Sequence, residues 1–245
     1  MSNKPHPRLT VGLTYFNESN WIHQWYQAFH YYPKDIQVII VDDGSTTDPI
    51  DEHLYPITDL GDWCPDVQVY KVTEDLGFNG HGCRNLIAKI ADADFLAFFD
   101  IDMMCDPSTM GRMRQRNWQH HSLYHHDFYV WQRQRIKKYP GHLNSFVCSK
   151  QLFWEAGGYD ESFTGHHWGD REFQERLKKK AKYIRNSGEV MTLRRNGKHG
   201  RVTDKVDKTV YIDDKFFLVP LPSEQVEKLK GTVNTKINFE YERIL

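Results

Sequence analysis

Residues 94–107, DFLAFFDIDMMCDP, form an apolar run that ends in two carboxylates. Asp100 and Asp102 stand one residue apart where a buried strand is expected to end, so their charge must be balanced. Mn²⁺ and Mg²⁺ prefer carboxylate oxygens, and water and substrate phosphate usually complete their coordination. The pair therefore indicates a divalent-metal site. The alternative is one capping Asp beside one that faces solvent.

Two further polar groups have positions that suit a nucleotide. Asp42 and Asp43 end the run VIIVDD, and a carboxylate there can accept the ring N–H of uracil or guanine. Arg84 lies on a glycine-rich turn before a predicted helix, where its guanidinium can contact a pyrophosphate at two points. A base-binding acid, a phosphate-binding arginine and a metal site in this order are more specific than any one of them.

The elements around these residues predict an α/β fold. Apolar residues at helical spacing indicate helices, and β-branched runs indicate strands. The first half is predicted to contain strand 9–17, helix 21–32, strand 36–44, strand 67–72, helix 80–92 and strand 94–102. This order is typical of a mainly parallel sheet flanked by helices. Ligands bind beyond the carboxyl ends of such strands, so five polar residues should cluster there: Asn17, Asp42, Asp43, Asp100 and Asp102.

The second half has a different pattern. Residues 107–121 suggest a helix, 128–136 alternate like a strand, and 144–160 suggest a strand, a short helix and a Gly-Gly turn. Residues 170–184 form an amphipathic helix pattern. The stretch HHSLYHHDF, residues 120–128, carries four histidines that can bind metal, but we expect a surface loop or helix end there.

Length and composition set broad limits. The chain has 245 residues, of which 39% are hydrophobic, and suits one large domain or one domain with an appendage. No apolar run approaches the roughly 20 residues of a membrane span, and the N-terminus lacks the apolar core of a signal peptide. The four cysteines form no CxxC pair, so a zinc knuckle is not expected. These features predict a cytoplasmic protein with free thiols.

Charge is distributed unevenly along the chain. The net charge is −1 overall, but residues 1–110 carry −11 and residues 111–201 carry +11. An acidic half that can hold a cation is followed by a basic half that can face phosphate, although solvated helix faces would give the same counts.

Four segments in the same order resemble a known family. VGLTYFNESNWI, VIIVDDGSTTD, NGHGCRNLIAKIADADFLAFFDIDMMCDP and GGYDESFTGHHWGDREFQERL are similar to nucleotide-sugar glycosyltransferases of the GT-A fold, of the family-two type. The last segment resembles the carboxyl-terminal module of galactosyltransferases and polypeptide N-acetylgalactosaminyltransferases. The resemblance covers about residues 8–185. It implies a single GT-A domain over 1–205, with a donor-binding half at 8–106, an acceptor half at 107–205 and a C-terminal extension at 206–245.

The resemblance assigns roles to matching residues. Asp43, more than Asp42, matches the base-binding acid, and Asp100 and Asp102 match the Asp-x-Asp metal and diphosphate site, with Asp102 the direct ligand. Arg84 matches the arginine before the helix, but the preceding glycines are spaced differently. Asp170 matches the second acid of a Glu-Asp pair, whose first acid is replaced here by Gly169.

For three residues the sequence leaves a second role open. Asp170 is implied to be the catalytic base, yet it can also be the N-cap of helix 171–184. His199 is the best placed late histidine for a third metal ligand, or it is a solvated loop residue. Trp168 can stack on a sugar face, or it packs in the core.

The expected reaction is transfer of a sugar from a nucleoside-diphosphate sugar, with UDP favoured, to an acceptor hydroxyl on a glycan, a lipid or a modified nucleic acid. Mn²⁺ or Mg²⁺ would stabilise the leaving diphosphate, and Asp170 as base implies inversion at C1. Two alternatives stay open: a polyanionic acceptor such as hydroxymethylated DNA, and a nucleotide-sugar-binding module without catalysis. Nucleotidyl transfer is disfavoured, because the N-terminal segment has no lysine- or glycine-rich phosphate signature.

Overall fold

The computed structural model confirms a single α/β domain built on one mixed sheet. It describes residues 6–74, 76–132, 135–139, 141–165, 168–195, 210–212, 216–218, 223–229 and 233–245.

Four parallel strands from the first half of the chain form the centre of the sheet. They lie in the order β3, β2, β1, β4, and their bounds are β1 Leu9–Tyr15, β2 Ile36–Asp42, β3 Asp66–Val72 and β4 Phe95–Asp100. Every residue of β2 is buried, as its run IQVIIVD predicts for a strand that is covered on both faces. The carboxyl ends of these strands therefore meet along one edge of the sheet.

Antiparallel strands extend the sheet beyond β4. The order continues through β7 to β5 and β6, and β8 pairs with β5 in parallel; the bounds are β5 Ser122–Gln132, β6 Arg135–Tyr139, β7 Phe146–Ser149 and β8 Lys182–Arg195. A separate hairpin joins β9 Val210–Ile212 and β10 Phe216–Leu218.

Helices cover both faces of the sheet and give the domain two apolar cores. One core holds Trp25 and Phe29 from the first helix with Met110 from the fourth, and the other joins Leu86, Phe153 and Phe173. The helices are α1 Ser19–Phe29, α2 Tyr55–Thr58, α3 Gly80–Ile90, α4 Pro107–Gln115, α5 Lys150–Glu155, α6 Gly169–Lys180 and α7 Ser223–Leu229, with 3₁₀ turns at Ile50–His53 and Glu161–Phe163.

The end of the chain returns to the donor half. A last strand, β11 Tyr241–Arg243, pairs antiparallel with the outer edge of β3. Just before it, Thr235 Oγ1 donates to the carbonyls of Gly157 and Tyr159, and the Ile237 amide donates to the Glu161 carboxylate. This segment covers an exposed sheet edge and ties the Gly-Gly turn of the acceptor half to the rest of the domain.

Three sequence predictions for the acceptor half were wrong in detail. The single strand expected at 128–136 is a hairpin of β5 and β6, and the helix expected at 107–121 ends at Gln115. The histidine-rich stretch 120–128 is not a surface loop, because it enters β5 and buries His125 and His126. Burial lowers the pKa of His125 to about 4 and of His126 to about 3, so both rings are neutral at pH 7.

The cysteines are in the state that the sequence predicts. All four cysteines are free thiols and all are buried. Among the described residues, no helix is long and apolar enough to cross a bilayer.

Candidate active site

The carboxyl ends of β1, β2 and β4 converge with the first turns of α3 and α6. Parallel pairing sets Tyr15 beside Asp42 and Thr14 beside Asp100. Ion pairs then join Asp100 of β4 to Arg84 of α3, and Arg84 to Asp170 of α6. The five polar residues predicted to cluster at this edge all end a strand or lie within two residues of its end: Asn17, Asp42, Asp43, Asp100 and Asp102.

Both carboxylate oxygens of Asp42 accept hydrogen bonds from the backbone of the loop that follows it. It is fully buried, its Oδ1 accepts the Ser45 amide at 2.8 Å, and its Oδ2 accepts the Ile50 amide at 3.0 Å. Asn17, in the left-handed region at φ 49°, accepts the amides of Thr47 and Asp48 through Oδ1. Together the two side chains fix the shape of the loop after β2.

Asp43 lies just below the surface beside α3. Its Oδ2 accepts the Asn79 amide at 2.7 Å, and the side chain is 6% exposed. Burial raises the pKa of the Asp43 carboxyl well above its ordinary value, against the opposing effects of the Asn79 amide and the Cys83 thiol. Oδ1 is buried and, apart from the Cys83 thiol that also acts on this carboxyl, has no hydrogen-bond donor among the described residues, which leaves an acceptor position at this end of the site.

Arg84 links the two acids at the other end of the site. Its Nη2 donates to Asp100 Oδ1 at 2.6 Å, and its Nη1 donates to Asp170 Oδ1 at 3.1 Å. The guanidinium is 4% exposed and its Cζ lies 5.4 Å from the centre of the Tyr159 ring. Although burial alone would lower it, the pKa of Arg84 is raised by Asp170, Tyr159 and Asp100, so the cation is permanent.

A second link was not found from the sequence. Asn144 Nδ2 donates to Asp100 Oδ2 and to Asp170 Oδ2, both at 3.2 Å. His142 Nε2 lies 3.7 Å from Asp100 Oδ2. Both residues lie on the loop before β7, where the sequence HLNS gives no signal beyond that of an ordinary polar turn.

Asp170 is positioned by side chains and by a helix start. Burial raises its pKa, but Arg84, His81, Asn144 and His142 outweigh burial and hold the pKa below its ordinary value. The carboxyl is therefore ionised at neutral pH. Helix α6 begins at Gly169, its N-cap residue is Trp168, and no side chain caps it, so the N-cap role considered for Asp170 is wrong. A carboxylate in this first turn also faces the positive end of the helix dipole.

Trp168 directs the chain into α6. It is a non-glycine residue at φ 85°, a conformation that stores strain and that is enriched at functional sites. The indole is 41% exposed and the Arg171 guanidinium lies 5.5 Å from its centre, so the core-packing alternative is wrong. A partly exposed aromatic face beside Asp170 suits a sugar.

The metal assignment rests on the end of β4. Asp102 lies on the turn after Asp100 and is partly exposed, whereas Asp100 is bound by Arg84 and Asn144. No group of three metal-ligating side chains occurs among the described residues, and His199 lies outside them. A single hard carboxylate such as Asp102 still fits a Mg²⁺- or Mn²⁺-type site that takes its other ligands from water and diphosphate.

The fold, with its acids at the carboxyl ends of the central strands, is the GT-A fold of glycosyltransferases. Residues 10–165 match the sequence model of Glycosyl transferase family 2, and the chain belongs to that family. The match ends before Trp168, so the resemblance of residues 157–177 to a galactosyltransferase-like module stays a prediction. No curated protein sequence matches the chain.

Solved structures agree on the fold. S. aureus TarS superposes with a TM-score of 0.58 at 14% identity, over 93% of this chain and 41% of TarS. The mannosyltransferase PcManGT from Pyrobaculum calidifontis, solved with GDP-Man and Mn²⁺, gives a TM-score of 0.59 at 14% identity, over 78% of this chain and 57% of its own. The chain thus spans less than half the length of TarS.

Proposed function

We propose that this glycosyltransferase moves a sugar from a nucleoside-diphosphate sugar, with UDP favoured, to an acceptor hydroxyl with inversion at C1. The observation that carries the proposal is the Asp100–Arg84–Asp170 chain of ion pairs, which holds an ionised carboxylate beside the strand ends where donors bind. The family match and the fold support the reaction class.

The donor would lie along the edge formed by β1, β2 and β4. Asp43 would accept the ring N–H of the base, since no backbone amide among the described residues donates to its Oδ1, whereas both oxygens of Asp42 accept amides of the loop. Arg84 would face the diphosphate from α3, and Trp168 would contact the sugar. These assignments extend the sequence predictions and rest on position and chemistry.

Asp102, with Asp100 beside it, would hold the divalent cation. Mn²⁺ or Mg²⁺ bound there supplies charge neutralisation for the leaving diphosphate. The relative PcManGT was solved with GDP-Man and Mn²⁺, which supports a cation of this kind. His199 is kept as a candidate third ligand, and a cytoplasmic location stays a prediction.

Asp170 would act as the general base. Its carboxylate would take the proton of the acceptor hydroxyl as the hydroxyl oxygen bonds to C1 and the C1–O bond to the diphosphate breaks. Arg84 would stabilise negative charge on the leaving group and keep Asp170 ionised. One base opposite one leaving group inverts C1, so the product anomer reports on this assignment.

The test is a screen of UDP-, GDP- and dTDP-sugars for hydrolysis or transfer with Mn²⁺, with Mg²⁺ and with EDTA. We expect one nucleotide class to be turned over only with metal. Asp102→Asn should lower that turnover at least about 100-fold, because it removes a hard ligand. Asp94→Asn is the matched control, since Asp94 is exposed at the opposite end of β4. Metal-independent turnover, or equal rates in both variants, would contradict the metal assignment.

A further inference from the structure

The environment of Gly169 shows what occupies the position of the missing acid. A Cβ placed on Gly169 would lie 2.4 Å from His81 Nε2, 2.7 Å from Cε1 and 2.8 Å from Cδ2. A Cβ atom essentially never lies this close to a non-bonded heavy atom, so the ring fills the space of any side chain at 169. Gly169 begins α6 without a positive φ, and it is therefore space and not backbone conformation that requires glycine.

His81 cannot easily yield that space. It is the second residue of α3 and is 1% exposed. Aromatic rings surround it, with centroids 5.7 Å away for Phe78, 5.7 Å for Tyr159 and 6.4 Å for Phe163. Displacing the imidazole would require movement in three packed side chains as well as in the first turn of α3.

The same ring faces Asp170. His81 Nε2 lies 3.7 Å from Asp170 Oδ1, the oxygen that also accepts from Arg84 Nη1 at 3.1 Å. The charged and polar groups facing Asp170 are His81 and Arg84 from α3, His142 and Asn144 from the loop before β7, and Tyr159 after α5. Among the first four, Arg84, Asn144 and His142 also face Asp100.

We propose that His81 is a positioning residue for Asp170, packed into the space that Gly169 leaves empty so that the carboxylate is held toward the acceptor side of the site. This inference rests on the proposed function. Arg84 and Asn144 hold Asp170 and Asp100 together, so their loss would disturb both the donor and the base. His81 packs against Gly169 and faces Asp170, both on α6, so we expect its removal to act mainly on the base and to have a different kinetic signature.

The first test replaces the imidazole with a flat ring that has no polar atom. His81→Phe should lower turnover about 10- to 100-fold and leave the KM for the donor sugar within about twofold, because a small displacement of a reacting group is enough for a loss of this size. His81→Gln, which retains a polar group, should recover part of the rate. His121→Phe is the control, since His121 is exposed at the far end of β5. Thermal unfolding of each variant checks that the fold is kept.

The second test breaks the contact from the other side. Gly169→Ala should lower both Tm and turnover, although alanine is the better helix former, because the new methyl group meets the His81 ring. In a His81→Ala background the same Gly169→Ala change should alter turnover by less than about twofold. This non-additivity would assign the effect to the His81–Gly169 contact.

The outcomes separate the inference from the function on which it rests. An active parent whose His81→Phe variant turns over at the parent rate overturns the inference alone. So does a Gly169→Ala variant with parent Tm and turnover. A variant that loses donor affinity in proportion to turnover also overturns it, because the role would then be structural. A parent that is inactive with every donor overturns the proposed function and this inference together.

Discussion

The two ends of the site hold their acids by different means. After β2, Asp42 and Asp43 are bound by backbone amides of Ser45, Ile50 and Asn79 and are nearly inaccessible. Across the site, Asp100 and Asp170 are bound by the side chains of Arg84 and Asn144, and about a quarter of each acid's side chain is exposed.

The acids after β2 therefore have fixed hydrogen-bond partners, whereas Asp100 and Asp170 can exchange theirs. An acid held by backbone amides is as rigid as the loop that carries it, which suits recognition of a flat base. An acid held by a guanidinium can exchange that partner for a metal-bound diphosphate or a hydroxyl without unfolding a loop. We therefore expect changes at the two ends to have separable effects on binding, chemistry and stability.

The largest effect is expected at Asp170. Asp170→Asn keeps the shape of the side chain but cannot take a proton from a hydroxyl at neutral pH, so turnover should fall about 10²- to 10⁴-fold. Steady-state transfer measured at saturating donor checks this. Turnover at the parent rate would mean that another residue is the base, and Glu172 on the same helix would be tested next.

Replacing Arg84 should affect function and stability together. Arg84→Met leaves Asp100 and Asp170 without their shared cation, and breaking a buried pair costs about 3–5 kcal/mol. Because both acids are partly exposed, we expect the lower end of that range in the free energy of unfolding, measured by denaturant titration. A variant as stable as the parent would show that Asn144 alone is enough to hold the acids.

At the other end, Asp43→Asn should affect binding more than chemistry. The asparagine side chain presents either its NH₂ group or one carbonyl oxygen to the base, where the Asp43 carboxyl presented an acceptor oxygen. Affinity for UDP should therefore fall about 10- to 100-fold, while turnover at saturating donor changes little. A lower turnover with unchanged affinity would remove Asp43 from the base pocket.

The smallest effect on function is expected at Asp42. Asp42→Asn leaves one of the Ser45 and Ile50 amides without an acceptor, at a cost of about 1–3 kcal/mol in the free energy of unfolding. Activity per folded molecule should stay within about twofold. Loss of UDP affinity at full stability would instead assign Asp42 to the nucleotide.

The donor half was predictable because its signals are local. Continuous β-branched runs predicted β2, and the alternation of strands and helices predicted a mainly parallel sheet with Asp42, Asp43 and Asp100 at one edge. The acceptor half depends on long-range pairing. His125 and His126 are polar residues, and they are buried only because β5 lies between β7 and β8 in the sheet.

The contacts around Asp100 and Asp170 were likewise hard to predict from the sequence. Nothing in the sequence places Asn144 against Asp100 and Asp170, since the three residues lie on three different elements. His81 had a partial signal, because the unusual spacing of glycines before Arg84 and the glycine at 169 were both visible. Only the structure shows that the glycine-rich segment and Gly169 are in contact, through the His81 ring.

Calorimetric titration of UDP with Mn²⁺ into the parent, Asp43→Asn and Asp170→Asn proteins tests the division between binding and chemistry most directly. We predict that Asp43→Asn binds UDP about 10- to 100-fold more weakly and that Asp170→Asn binds within about twofold of the parent. Parent-like binding by Asp43→Asn together with weakened binding by Asp170→Asn would contradict this prediction.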